Sequence, residues 1–300
     1  MLWIPITLAA AALQTARNAF QRGLTGELSP LGATYTRFAF GFPFAAIYAA
    51  CLFARTGVPT PGVPFFAWVT LGGVAQILGT ATLMLLFRLR SFSTGIAFSK
   101  SEILQVALVG ILVLGDTVSA LAALAIGVAT AGLVLLSRGS GAATTRDDGA
   151  GVFGRSALLG LATGAGFAVA AVAFRAASLS LAHPSFLASA AATLAASTLI
   201  QSALMTCYLR WGEPGQIGIV FRMWRRSLLP GLTGAAASAC WFTAMTIEIA
   251  AYVRMLGLVE VLFGYGVSIF ALRERPTARE VSGTALLVLA IAALLWDRAG

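Results

Sequence analysis

The sequence predicts an all-α integral membrane protein: ten transmembrane helices in two inverted-topology five-helix repeats around a central cavity. Three observations carry this expectation. Of the 300 residues, 59% are hydrophobic and only 10% are charged, with a mean hydropathy of +0.89. A soluble domain has about 25% charged residues, and a chain this apolar cannot cover its own surface with polar groups. The apolar residues fall in runs of about 20, the length a helix needs to cross the hydrocarbon core. The two halves of the chain also align with each other.

Breaks at clustered Pro, Gly and Arg place the spans at 2–22, 30–54, 64–87, 92–114, 118–137, 155–178, 184–210, 227–248, 251–271 and 278–297. Backbone polar groups in lipid must be satisfied within the segment, which a helix achieves. The runs are too long for barrel strands. The start, "MLWIPITLAAAALQTAR", has no positive n-region and reads as a retained first span. The first repeat occupies 1–138, a linker 139–154, and the second repeat 155–300. No link is long enough for a soluble domain.

The net charge of +9 comes from 19 arginines and one lysine against 11 acids. Fourteen of the arginines, Arg17 and Arg22 among them, lie near the links after spans 1, 3, 5, 7 and 9. Four lie on the other side: Arg55, Arg175, Arg254 and Arg298. The positive-inside rule makes the first side cytoplasmic and both termini extracytoplasmic, for a multi-pass protein of a bacterial inner membrane. The charge thus reads as topology rather than as a nucleic-acid footprint. Cys51, Cys207 and Cys240 are odd in number, suit no metal site and read as small apolar packers. His183, before Pro184 at a helix start, reads as interfacial.

The internal repeat is most visible in the fourth and ninth spans. "FSKSEILQVALVGILVLGDT" and "LGLVEVLFGYGVSIFALRER" align at an offset of 158, so that Glu102 faces Glu260 and Asp116 faces Glu274. The first and sixth spans align at 154, "AFQ" with "AFR" and Pro30 with Pro184. Five helices is an odd number, so the second half crosses with opposite polarity, an arrangement common in secondary transporters.

At these stations the chain resembles the drug/metabolite transporter superfamily in its EamA type. In that family the fourth helix of each half ends in an acid, often "GE", before a final helix bearing glycines. The corresponding stretches here are "LGDTVSALAALAIGVATAGLVLL" at 114–136 and "LRERPTAREVSGTALLVLAIAALL" at 272–295. Asp116 stands in place of the usual Glu. The resemblance covers the whole chain and is narrowest to the YddG-like amino-acid exporters. It implies a cavity lined by helices 1, 3, 4, 6, 8 and 9, partly by 2 and 7, with 5 and 10 peripheral. It also implies export of amino acids or similar small metabolites by alternating access. No GxxxxGK[ST] motif occurs, so ATP is not expected to drive the process. No cofactor and no metal are expected. With one histidine and no acid–base cluster, the chain is not expected to be an enzyme.

The candidate site residues are polar groups inside spans, where a charge costs roughly 2.5–3.5 kcal/mol by insertion scales. Lys100, the only lysine, and Glu102 sit within the apolar run 92–114, and Glu260 is the repeat mate of Glu102. Residues two apart on a helix point to nearly opposite faces, so Lys100 and Glu102 are not expected to pair with each other. Lys100 is expected either to bind a substrate carboxylate or to pair with Glu260. The two glutamates would recognise an amino group or carry a coupling proton. Gln14, Asn18, Gln76, Thr80 and Trp241 complete the expected substrate site, and Arg37, Tyr252 and Arg254 are read as gate or entrance residues. Arg37 is expected to snorkel, and Asp116 and Glu274 to cap the fifth and tenth helices. Gly72, Gly73, Gly257, Gly264 and Gly266 read as points of close helix approach. An organophosphate or nucleotide-sugar exchanger, which would place Lys100, Arg37 and Arg254 on phosphate, is the rival within the same class. A membrane enzyme and a channel are the rivals outside it.

Overall fold

A computed structural model describes residues 1–89, 99–139, 155–263 and 277–299. Among them every regular element is a helix: α1 (Trp3–Leu24), α2 (Pro30–Ala39), α3 (Phe42–Thr56), α4 (Val63–Leu89), α5 (Glu102–Leu114), α6 (Ala120–Gly139), α7 (Arg155–Ser180), α8 (Phe186–Gly212), α9 (Gln216–Arg222), α10 (Trp224–Ile247), α11 (Ala250–Leu256) and α12 (Ala278–Ala299). Glu274, Gly264, Gly266 and most of the 139–154 linker lie outside the described residues.

Six segments are long and apolar enough to cross a bilayer: Pro30–Thr56, Val63–Arg88, Leu158–Ser180, Phe186–Gly212, Trp224–Ile247 and Val281–Arg298. The burial pattern fits a lipid solvent. Leu112, Leu124, Ile47, Leu78 and Leu289 stand exposed on the outside, while Arg17, Arg37, Lys100, Glu102, Arg254 and Glu260 are buried. The predicted first span is a helix of 22 residues, yet it falls outside the six. Gln14, Arg17, Asn18 and Gln21 recur at three- and four-residue spacing and form one buried polar stripe along α1.

Local chemistry explains the helix ends. Ser29 caps α2 by accepting from Gly32 N, with Pro30 in the first turn, and Ser185 caps α8 by accepting from Ala188 N. The predicted second span is broken between Ala39 and Phe42. Pro43 cannot donate to the carbonyl of Ala39 and its ring would clash there. The fourth and ninth spans are interrupted as well. Lys100 and Ser101 form a turn before α5, and Gly257 and Leu258 form a turn after α11, with helix resuming at residue 259. Gly115, in the left-handed region at φ 66°, closes α5.

Three pairings dominate the packing: α4 on α7, α1 on α10 and α6 on α12. Small residues permit them. A Cβ on Gly166 of α7 would stand 2.8 Å from both Ala75 O and Gly79 Cα of α4. Gly72 meets the Phe174 ring in the same way, in line with its reading as a close-approach residue. Gly166→Leu is therefore expected to part α4 from α7 and cost about 1–3 kcal/mol, measured as a lower Tm in detergent. An unchanged Tm would contradict this crossing.

Candidate functional site

Six of the seven buried charged residues among the described residues converge on one cavity. The cavity is lined by Gln14, Arg17 and Asn18 of α1, Arg37 of α2, Gln76 and Leu83 of α4, and Ser99 and Lys100 before α5. Glu102 of α5, Phe167 of α7, Ser238, Trp241 and Phe242 of α10, Arg254 of α11 and Glu260 complete the wall. The helices α6 and α12 contribute nothing to it and pack on each other at the periphery. Ser238 lies 12 residues beyond Arg226 and 10 before Glu248 on or beside α10. At 1.5 Å per residue the cavity is thus about midway along the bundle.

Glu260 is the hub. Its Oε2 accepts from Lys100 Nζ at 2.6 Å and from Gln14 Nε2 at 2.9 Å, and its Oε1 accepts from Asn18 Nδ2 at 2.9 Å. Glu102 Oε1 lies 3.7 Å from Lys100 Nζ and 3.7 Å from Arg254 Nη1. Trp241 Nε1 donates to Gln14 Oε1 at 2.9 Å, and the Arg254 guanidinium stacks 4.6 Å above the Trp241 ring. Gly257 makes room for that ring: a Cβ there would come within 2.5 Å of it. Glu102 Oε2 and Arg254 Nε are buried and have no hydrogen-bond partner among the described residues.

The expectation that Lys100 and Glu102 point to opposite faces fails. It assumed one continuous helix, whereas the turn at Lys100 and Ser101 lets both side chains reach the same cavity. Glu102 instead opens α5, where the helix dipole favours a carboxylate. Of the two roles left open for Lys100, the bond to Glu260 is present.

Arg37 does not snorkel. It is 4% exposed and donates to Thr80 Oγ1 at 3.2 Å and to Ser238 Oγ at 3.3 Å. Arg254 also faces the cavity rather than an entrance. Thr80 supports Arg37 and is not itself in the cavity wall. Gln76 is held by Gln201 Nε2 at 2.9 Å. Sequence reasoning missed Arg17, Ser238, Phe167 and Phe242. Arg17, treated as a cytoplasmic anchor, is 2% exposed and donates to Asn18 Oδ1 at 2.6 Å from Nη2 and 3.2 Å from Nε. The polar stripe of α1 was the signal that places it.

Polar contacts tie both ends of the bundle. Near the start of α10, Arg226 pairs with Glu27, Ser29 Oγ donates to Glu213, and Arg88 donates to the Thr25 carbonyl at 2.9 Å. At the other end Arg175 pairs with Asp116 at 3.0 Å and donates to the Glu248 carbonyl at 3.2 Å. Arg298 reaches Glu248 at 2.6 Å and covers Tyr252, and Ser119 N donates to the Tyr252 hydroxyl at 3.2 Å. Tyr252, read from the sequence as a gate or entrance residue, is a buried part of this second latch. Asp116 does not cap α6, which begins four residues later; Ser119 does so, accepting from Ala122 N at 3.0 Å. Arg226 and Glu248 are 22 residues apart along α10. That separates the latches by about 33 Å, close to a hydrocarbon thickness.

The space left inside is about 10 Å³, room for about one water. Admitting a metabolite requires the helices to part. Among the described residues no group of His, Cys, Asp or Glu is arranged to hold a metal. His183 is remote from the cavity, accepting from Ser185 N at 3.1 Å. Cys51 and Cys207 are exposed and Cys240 is half-buried.

No protein-family model matches the chain, and no curated protein sequence does. Solved structures do match. A crystal structure of a protein 18% identical to this chain aligns over 99% of it and 98% of its own length, with a TM-score of 0.72. At that identity the likeness is one of fold.

Proposed function

We propose that this chain is a secondary transporter of the EamA-type drug/metabolite transporter class. It would export amino acids or similar small metabolites across a bacterial inner membrane by alternating access. The observation that carries this reading is one occluded midpoint cavity walled by six buried ionisable side chains, with polar latches at both ends of the bundle. Buried charges are expensive in a membrane protein and are retained where they face a partner, a cavity or a cargo path.

The inverted repeat is part of the proposal. Exchanging the halves turns the α4–α7 pairing into α10–α1, while α6–α12 and α2/α3–α8 map onto themselves. The turns at Lys100 and at Gly257–Leu258 fall at matching places under the offset of 158. Interrupted helices meeting at the midplane are the usual site builders in such transporters. Withdrawing the buried Arg17 and Arg254 from the arginine count leaves its direction unchanged, so extracytoplasmic termini remain the proposed orientation.

The test is uptake and counterflow in proteoliposomes with a panel of amino acids, with and without a pH gradient. Saturable counterflow is expected, with Lys100→Ala and Glu102→Gln impairing transport but not membrane insertion. Unitary ionic currents, or full transport in both variants, would refute the reading.

A further inference from the structure

The six ionisable groups of the cavity divide into two unlike sets. Lys100, Arg254, Glu102 and Glu260 form a connected quartet, two cations against two carboxylates, and it is neutral. Arg17 reaches the quartet only through Asn18, which donates to Glu260 Oε1 at 2.9 Å, and Arg37 makes no hydrogen bond or ion pair with it. The hydrogen bonds of Arg17 go to Asn18, and those of Arg37 go to the hydroxyls of Thr80 and Ser238, all neutral acceptors. Neither arginine has a carboxylate partner among the described residues.

The two arginines also lie side by side. A Cβ built on Gly234 of α10 would meet Arg37 Cγ at 3.1 Å and Arg17 Cδ at 3.3 Å, so both stems cross the same bare patch of helix. They are 2% and 4% exposed. The cavity holds four cations against two carboxylates, and an excess of two like charges side by side, away from bulk water, destabilises the closed bundle unless an anion joins them. A guanidinium is the side chain best shaped to grip a planar carboxylate or a phosphate by paired hydrogen bonds. An excess of cations in a low-dielectric cleft also concentrates anions there.

We infer that the cargo is a small organic anion bearing at least one net negative charge, gripped by Arg17 and Arg37, rather than a neutral zwitterion. This rests on the transporter reading and narrows it to acidic amino acids, dicarboxylates or phosphate monoesters. The neutral quartet then serves the rest of the molecule. The unpartnered Glu102 Oε2 can accept from an amino or hydroxyl group, and Arg254 Nε can donate to an oxygen.

The test uses the purified full chain in detergent for heat stability and in proteoliposomes for counterflow. The probes are glutamate, succinate and glycerol 3-phosphate, with alanine as the neutral zwitterion and putrescine as the cation. One or more of the three anions is expected to raise the Tm and to drive counterflow, with alanine and putrescine inert. Protection by glycerol 3-phosphate alone assigns a phosphate, and protection by succinate or glutamate alone assigns a carboxylate. Arg17→Gln and Arg37→Gln are each expected to weaken anion binding by about 10- to 100-fold. The wild-type panel needs no variant, so a substitution that misfolds does not remove the test. Saturable alanine counterflow that none of the anions inhibits would overturn the inference and leave the transporter reading standing. Failure of all three anions both to protect and to exchange would also overturn it.

Discussion

Glu260→Ala is expected to cost about 3–5 kcal/mol of stability, the largest loss of any single change in the cavity. The variant strands the Lys100 ammonium, which bonds to this carboxylate at 2.6 Å, and deprives Gln14 and Asn18 of their acceptor. The remaining cavity then holds four cations, Arg17, Arg37, Lys100 and Arg254, against Glu102 alone. A buried ion pair need not be stabilising overall, because desolvation opposes the Coulomb attraction, but removing one partner leaves the penalty uncompensated. The paired change Lys100→Met with Glu260→Leu is therefore expected to be less destabilising than Glu260→Ala alone, by about 2 kcal/mol. Both variants should fail in counterflow. Thermal unfolding in detergent reads the difference. A Glu260→Ala protein as stable as the parent would show that Glu102, 3.7 Å from the Lys100 ammonium, suffices as its counter-charge.

Arg175→Ala is expected to release the latch at the Asp116 end. Arg175 is largely buried, pairs with Asp116 at 3.0 Å and also holds the Glu248 carbonyl. A charge-assisted contact of this kind contributes about 1.5–3 kcal/mol, which would shift an open–closed equilibrium by roughly 10- to 150-fold. Arg298, 41% exposed at its side chain, adds less because solvent screens it. Labelling of a cavity cysteine from that face should accelerate by the same factor, with no change from the other face. An equal rise at both faces would mean general loosening rather than a latch.

Much of the helical layout could be read from the sequence, because hydrophobic runs of membrane length have few alternative structures. Lys100, Glu102, Glu260, Gln14, Asn18, Gln76 and Trp241 stood out as polar groups within apolar runs, and all of them line the cavity. Their mutual geometry did not stand out. The turn at Lys100 depends on tertiary packing, and a helical wheel drawn through it puts Lys100 and Glu102 on the wrong faces. Arg17 and Arg37 were misplaced for a different reason. An arginine within a turn or two of a span end resembles an interfacial anchor, and only depth within the bundle separates the two cases. For Arg17 the spacing with Gln14, Asn18 and Gln21 carried that information; Arg37 had no comparable stripe. Ser238, set among the alanines of α10, carried no signal.

The central claim is that one ionised cavity opens to either side by releasing either latch. It is tested most directly by a single cysteine at Gln76→Cys, with Cys51, Cys207 and Cys240 replaced by serine. The protein would be reconstituted in one orientation and exposed to a membrane-impermeant maleimide from each face in turn. The account predicts slow labelling from both faces, faster from one face after Arg175→Ala and, by a smaller factor because the Arg226–Glu27 pair is solvent-exposed, faster from the opposite face after Arg226→Ala. Labelling confined to the same face in all three proteins would contradict it.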